Sequence, residues 1–313
     1  MNSNSLVYVA GHQGMVGSAI VRCLISNGFK KLILKSRAEL DLTSRGEVDT
    51  FFAHFRPEYV FIAAAKVGGI LANDSRPAEF LKENLDIQTN LIDAAYRNGT
   101  HKLLFLGSSC IYPKHASQPM TEDCLLTGPL EETNQWYAVA KIAGLKMCQA
   151  YRRQYGFNAI SAMPTNLYGP FDNFNLQSSH VLPALIRKVD DAKEKGEDAV
   201  TIWGTGNPRR EFLHVDDLAD ACVFLMQKYE DDLWINVGCG TDVTIRELAE
   251  TVSGQIGFRG KFNFDVTKPD GTPRKLLDTT KINSLGWNPR IALDQGIAST
   301  YRWFLANRAS IRT

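Results

Sequence analysis

The sequence predicts an α/β protein: a doubly wound parallel sheet with a smaller C-terminal unit. Three observations carry this. In the first half, short apolar runs alternate with longer amphipathic ones, the pattern of strands joined by crossover helices. A glycine-rich turn lies between the first such run and the first helix. Beyond Pro164 the alternation loosens into loop-forming residues, where a second unit begins.

The first strand is expected over residues 6–10 (LVYVA). The first helix follows over 16–26, where Val16, Ile20 and Leu24 share one face. Residues 32–34 read as the second strand and 45–55 as the next helix. A third strand is expected at 59–63, a long helix at 80–96 and a fourth strand at 103–106. A helix over 136–155 and a fifth strand over 159–163 complete the alternation. Pro164, Gly169, Pro170 and Pro183 then break up the chain around 173–179. A helix over 214–228 and a strand over 234–237 are placed to return to the sheet. Thr244 with Glu247 three residues later opens a helix over 244–255, and 293–306 is the last helix. The units divide as 1–167 and 168–313, with about 212–238 returning to the first.

Composition narrows the class. The 313 residues are 44% hydrophobic and 22% charged, as in a soluble globular protein. A net charge of +1 gives no electrostatic reason to bind nucleic acid or an anionic membrane. No apolar run reaches the ~20 residues of a membrane span. The N-terminus lacks a leader pattern. Cys23, Cys110, Cys124, Cys148, Cys222 and Cys239 form no Cys-x-x-Cys pair, so neither a zinc site nor a disulfide framework is read. Free thiols in a reducing cytoplasm are expected.

The chemistry begins in the turn Gly11-His12-Gln13-Gly14-Met15-Val16-Gly17. Its glycines let the backbone approach a pyrophosphate, and the following helix offers free N–H groups and a positive dipole end. The alternative is an ordinary strand–helix turn, which the flanking elements disfavour. At the end of the second strand, Leu34-Lys35-Ser36-Arg37 carries no acid before Glu39 and Asp41. Arg37 therefore suits an adenosine 2′-phosphate, and the cofactor is read as NADP(H) rather than NAD. Two solvated surface cations are the competing reading.

Tyr137 and Lys141, four apart on a helix, stack on one face, and an ammonium beside a phenol lowers its pKa. Gly107-Ser108-Ser109-Cys110 adds a hydroxyl and a thiol after the fourth strand. The thiol points to proton chemistry at carbon beside a hydride step. Each residue has a bland competitor: serine in a turn, cysteine as buried filler, His180 as the cap of a helix over 181–189. Asp216-Asp217 is read as two acids stabilising a helix N-terminus, not as a metal site; no metal is expected.

The glycine pattern, the serine after the fourth strand and Tyr-x-x-x-Lys together resemble the extended short-chain dehydrogenase/reductase family. The resemblance covers nearly the whole chain. Its more specific blocks are 63–69 (AAAKVGG), 106–114 (LGSSCIYPK), 164–169 (PTNLYG), 210–217 (REFLHVDD) and 268–278 (KPDGTPRKLLD). They are similar to the branch of that family that epimerises GDP-4-keto-6-deoxy-D-mannose at C3 and C5 and reduces C4 with NADPH. The resemblance implies a Rossmann-like fold. It assigns Ser108 to the C4 oxygen, Tyr137 to its protonation and Lys141 to the nicotinamide ribose. Cys110 and His180 become the acid–base pair of both epimerisations. Around the cofactor it adds Asp41, Leu42, Leu106, Gly107, Ser109, Pro164, Thr165, Asn166, Leu167 and His180. It places Lys188, Trp203, Arg210 and Asp270 on the GDP-sugar. It also implies a homodimer, joined through helices 80–96 and 136–155 as a four-helix bundle. Competing readings are a 4-epimerase, which needs neither Cys110 nor His180, a 4,6-dehydratase, which would carry Thr-Asp-Glu at the Ser109-Cys110-Ile111 position, and a non-catalytic sensor, which would have lost the tyrosine–lysine pair.

Overall fold

The computed structural model describes residues 1–268 and 270–309. Along the first half run β1 (Leu6–Ala10), α1 (Met15–Ser26), β2 (Lys31–Ile33), α2 (Arg45–Phe55), β3 (Tyr59–Ile62), α3 (Ile70–Ser75), α4 (Pro77–Arg97), β4 (Lys102–Leu106), α5 (Gln135–Tyr155) and β5 (Ala159–Pro164). The second half continues with β6 (Asn166–Tyr168), α6 (Val181–Lys195), β7 (Ala199–Trp203), β8 (Arg209–Arg210), β9 (Phe212–His214), α7 (Val215–Lys228) and β10 (Ile235–Val237). Then come β11 (Val243–Thr244), α8 (Ile245–Ile256), β12 (Lys261–Asp265), β13 (Arg274–Lys275), α9 (Thr280–Ser284) and α10 (Leu293–Asn307).

Six parallel strands form the central sheet in the order β10-β5-β4-β3-β1-β2. Chain order reverses between β1 and β3, and the crevice beyond the carboxyl ends at such a point is where these sheets bind ligands. Strands covered by helices on both faces are mostly apolar; all of β4 and β5 is buried. One face packs Phe52, Leu91, Ile92 and Leu145 against the sheet, and the other packs Ile20, Leu24, Leu218 and Leu225. A third core joins Ile186, Leu248, Val252, Ile297 and Phe304 of α6, α8 and α10.

The differences from the expected elements have local causes. β2 starts and ends one residue early. α7 begins at Val215 because His214 is its N-cap, Nδ1 accepting from the Asp216 N–H at 3.2 Å. α6 runs past Val189 to Lys195 and stops where Gly196 turns left-handed. Lys102, a charged residue inside β4, is buried because its ammonium donates to the Leu225 and Tyr229 carbonyls at the end of α7 (3.2 and 2.6 Å). Thr244 and Glu247 form the capping box. Asp216 pairs with Arg22 at 2.6 Å, and the Asp217 carboxylate accepts from the Arg290 and Ile291 N–H groups. Three small sheets of the second half, β6-β9, β7-β12 and β11-β8-β13, lie outside the expected strands.

Candidate active site

The glycine turn is dictated by close approach. A Cβ on Gly17 would lie 2.6 Å from the Gly11 carbonyl carbon, and one on Gly11 would lie 2.7 Å from the Ala64 nitrogen. Gly14 caps α1 without a side-chain cap, leaving the helix N-terminus turned to the crevice. Beyond β2, Asp41 is spent locally: its carboxylate accepts from the N–H and hydroxyl of Thr43, and the Leu42 carbonyl takes the Asn90 amide at 3.0 Å. Arg37 stretches into solvent, 3.9 Å from Glu83.

At the end of β4, Leu106 and Gly107 lead into a single 3-10 turn, Ser109–Ile111, capped by Ser108, whose Oγ accepts from the Cys110 N–H at 3.3 Å. Cys110 is thereby buried against the strand end. The β5–β6 turn forms the opposite wall: the Thr165 N–H donates to Val237, and the Asn166 amide donates to the Glu211 carbonyl at 2.8 Å. Pro164 ends β5, and Leu167 packs on the sheet core.

Tyr137 and Lys141 lie on α5 one turn apart. Lys141 donates to the Leu106 carbonyl at 2.8 Å, and its Nζ lies over the faces of the Phe105 and Tyr137 rings at 4.8 and 5.7 Å. The ammonium thus addresses the ring rather than the phenol oxygen. Burial pushes Tyr137 up, with the nearby Cys110 adding to the shift, and pushes Lys141 down to about 8. The expected lowering of the tyrosine is therefore reversed: in the free site desolvation dominates.

Burial dominates at Cys110 as well. Burial raises its thiol, although a hydrogen bond with Ser108 and the charges of Lys275 and Lys141 act to lower it. His180 is pushed down by desolvation and by Lys275. It occupies the N-cap position of α6, its carbonyl accepting from the Ala184 N–H at 3.1 Å, while its imidazole makes no capping hydrogen bond. The turn before it is held by Gly69, whose N–H donates to the Ser178 carbonyl at 3.0 Å, joining the AAAKVGG loop to the histidine. Lys275, which the sequence reading missed, is the charge felt by both Cys110 and His180. The signal was present in KPDGTPRKLLD, but its position depends on the β8–β13 pairing of Lys275 with Arg210.

From Lys275 the cationic lining continues outward. Arg210 leans over Gly271, where a Cβ would meet its Nη2 at 2.9 Å. Both Asp270 oxygens are engaged by Thr205, through its N–H (2.9 Å) and hydroxyl (2.7 Å), so this carboxylate shapes the turn after Trp203. Trp203 is 66% exposed, with the Lys188 and Lys268 ammonium groups 5.7 and 5.6 Å from its ring centre. Lys188 also donates to the Thr201 carbonyl at 3.3 Å. The arrangement brings a phenol, a hydroxyl and a thiol together at the end of β4, with an imidazole and the Lys275 ammonium in electrostatic reach and further cations beyond.

This combination defines a dinucleotide-dependent enzyme acting on an anionic substrate. The chain belongs to the NAD dependent epimerase/dehydratase family, whose profile matches residues 7–238. It is 60% identical to GDP-L-fucose synthase 1 of Arabidopsis thaliana, covering 98% of this chain and 95% of that one. It is 52% identical to GDP-L-fucose synthase of Escherichia coli over 99% of both chains. A GDP-L-fucose synthetase from Naegleria fowleri, solved bound to NADP, superposes with a TM-score of 0.91 at 28% identity, over 100% of this chain and 98% of that one.

The residues fit NADP(H). The glycine turn packs too closely on itself and on Ala64 for Gly11 or Gly17 to carry a side chain, and the polar atoms His12 Nδ1 and Ser179 Oγ are buried without a hydrogen-bond partner.

Proposed function

We propose that the protein converts GDP-4-keto-6-deoxy-D-mannose to GDP-L-fucose, epimerising C3 and C5 and then reducing C4 with NADPH. One observation carries the reading: the Ser108–Tyr137–Lys141 set and Cys110 interact at the end of β4, and His180 shares the field of Lys275 with that thiol. When bound, NADPH supplies the hydride. The glycine turn and α1 N-terminus hold its pyrophosphate, with Gln13, Met15 and Val16 lining the turn, and Lys141 its ribose.

Ser108 donates to the C4 oxygen and orients the ketone. A proton lost from C3 or C5 leaves an enolate whose charge lies on that same oxygen, so Ser108 and Tyr137 stabilise the epimerisation intermediate as well as the reduction. Cys110 and His180 flank the ring. In the free site they rest as thiol and neutral imidazole, one proton to give and one lone pair to take. Tyr137, kept protonated by burial, delivers its proton at the reduction step. Arg210 and Lys275 take the diphosphate, and Trp203 and Lys188 the nucleoside end. The same reading makes the protein a cytoplasmic homodimer, consistent with six free cysteines and with the exposed Trp136, Val139 and Tyr155 of α5.

The test separates the two chemistries. Tyr137→Phe is expected to abolish NADPH oxidation while C3 and C5 protons still exchange with heavy water at a reduced rate. Cys110→Ser is expected to stall exchange and leave NADPH binding intact, since a hydroxyl is far less acidic than a thiol. Exchange at the parent rate in Cys110→Ser removes the thiol from the mechanism.

A further inference from the structure

Glu211 stands where three segments of the cleft meet. The residue is fully buried, and among the described residues no cation pairs with it. Its Oε1 accepts from the Gly240 N–H at 2.7 Å, in the turn after β10. Its Oε2 accepts from the Leu277 N–H at 3.0 Å, two residues past Lys275. The backbone joins in: the Glu211 N–H donates to the Lys275 carbonyl at 3.2 Å, and its carbonyl accepts from Asn166 (2.8 Å) and Thr165 (3.4 Å) in the β5–β6 turn. Its chain neighbour is Arg210, which pairs with Lys275 in the β8–β13 register. Even the turn after β10 is cut to fit: a Cβ on Gly238 would lie 2.8 Å from the Glu211 carboxyl carbon.

A buried carboxylate without a cation is costly. Two loops that only had to touch would be joined more cheaply by apolar packing. What a carboxylate adds is geometry: two acceptor oxygens set a fixed separation between N–H groups from different segments. We propose that Glu211 is a positioning residue that couples the cofactor wall to the substrate wall. It sets Arg210 and Lys275 at the distance from the β5–β6 turn that a bound GDP-sugar spans between its diphosphate and its reacting carbon. The inference rests on the proposed substrate, and GDP alone, which needs no chemistry, serves as a second probe.

Glu211→Gln keeps the shape but turns an NH2 group toward one of the two N–H donors, so one bond is lost. The expected result is a rise of about tenfold or more in KM for GDP-4-keto-6-deoxy-D-mannose, with kcat lowered and the Kd for GDP, by calorimetry, raised in parallel. The Kd for NADPH is expected to rise by less than the Kd for GDP, because Asn166 holds only the backbone carbonyl and Thr165 alone on the cofactor side also touches the carboxylate. Glu211→Asp, which keeps both acceptors on a shorter arm, recovers part of the loss. If Glu211→Gln does not fold, Gly238→Ala, which crowds the same carboxylate, takes its place with the same readouts. A lowered melting temperature with GDP and NADPH affinities both unchanged would overturn the proposal, as would equal losses in both. A parent protein that binds GDP but does not turn over the keto-sugar overturns the proposed substrate instead, and the GDP comparison still decides the role of Glu211.

Discussion

Tyr137 and Cys110 each lie near an ammonium, which alone would draw both toward their anions. Neither follows, because the pocket that brings Lys141 and Lys275 close also strips water from the phenol and the thiol. The result suits a reductase, in which the phenol must hold its proton until the C4 oxygen needs it. Arg37 is the opposite case, an exposed cation with a loose partner. Its Nη2 is 3.9 Å from Glu83, which also holds Lys66 at 2.5 Å. An exposed pair at that distance contributes little, so the guanidinium is free to meet a 2′-phosphate. Arg37→Ala is expected to weaken NADPH binding by ~1.5–3 kcal/mol, roughly ten- to a hundredfold, with NADH unchanged. Fluorescence titration with both cofactors checks this, and equal affinities in the parent protein would sink the assignment.

At the scale of elements, two glycines make a matched test. Gly17 sits in the first turn of α1, where an added Cβ runs into Gly11, whereas Gly254 in α8 has open space around it. Gly17→Ala is expected to cost about 1–3 kcal/mol through overpacking and to impair NADPH binding. Gly254→Ala is expected to gain roughly 0.5–1 kcal/mol from helix propensity and leave binding alone. Thermal melts with and without NADPH compare them; a stable, NADPH-binding Gly17→Ala protein would contradict the packing argument. The same contrast explains what was legible beforehand. β1, β3, β4 and β5 are apolar runs between long amphipathic helices, and the glycine turn, Ser108, Tyr137 and Lys141 are spaced locally. β8, β11 and β13 hold two residues each, too few for periodicity to distinguish from loop. Lys275 and Glu211 owe their places to those pairings, so local spacing does not reveal them even though both lie in recognisable blocks. The direction of the Tyr137 shift was misread for a related reason: spacing reports neighbours, and burial is set by the whole fold.

Across the whole molecule, α4 and α5 pack together and carry an aromatic outer surface, with Tyr96 stacked on Tyr155 at 4.6 Å and Tyr151 edge-on to both. Such a patch on paired helices fits a second copy of the same helices. Light scattering at micromolar concentration is expected to give twice the chain mass, and Val139→Glu with Trp136→Glu to give the monomer. A monomeric parent protein would rule this interface out. The sheet itself has a less visible consequence. Its edge strand β10 follows β6, β7, β8 and β9 in the chain, and α7 packs on α1 through Leu218, Leu225, Ile20 and Leu24. Once the first 167 residues have emerged from the ribosome, the glycine turn, Ser108, Tyr137 and Lys141 are all outside it. That nascent chain still has an unpaired edge on β5 and a bare apolar stripe on α1. The sheet cannot close until Val237 has left the exit tunnel, so the order of synthesis and the order of assembly differ, and the interval between them is when this chain is open to chaperones or to aggregation.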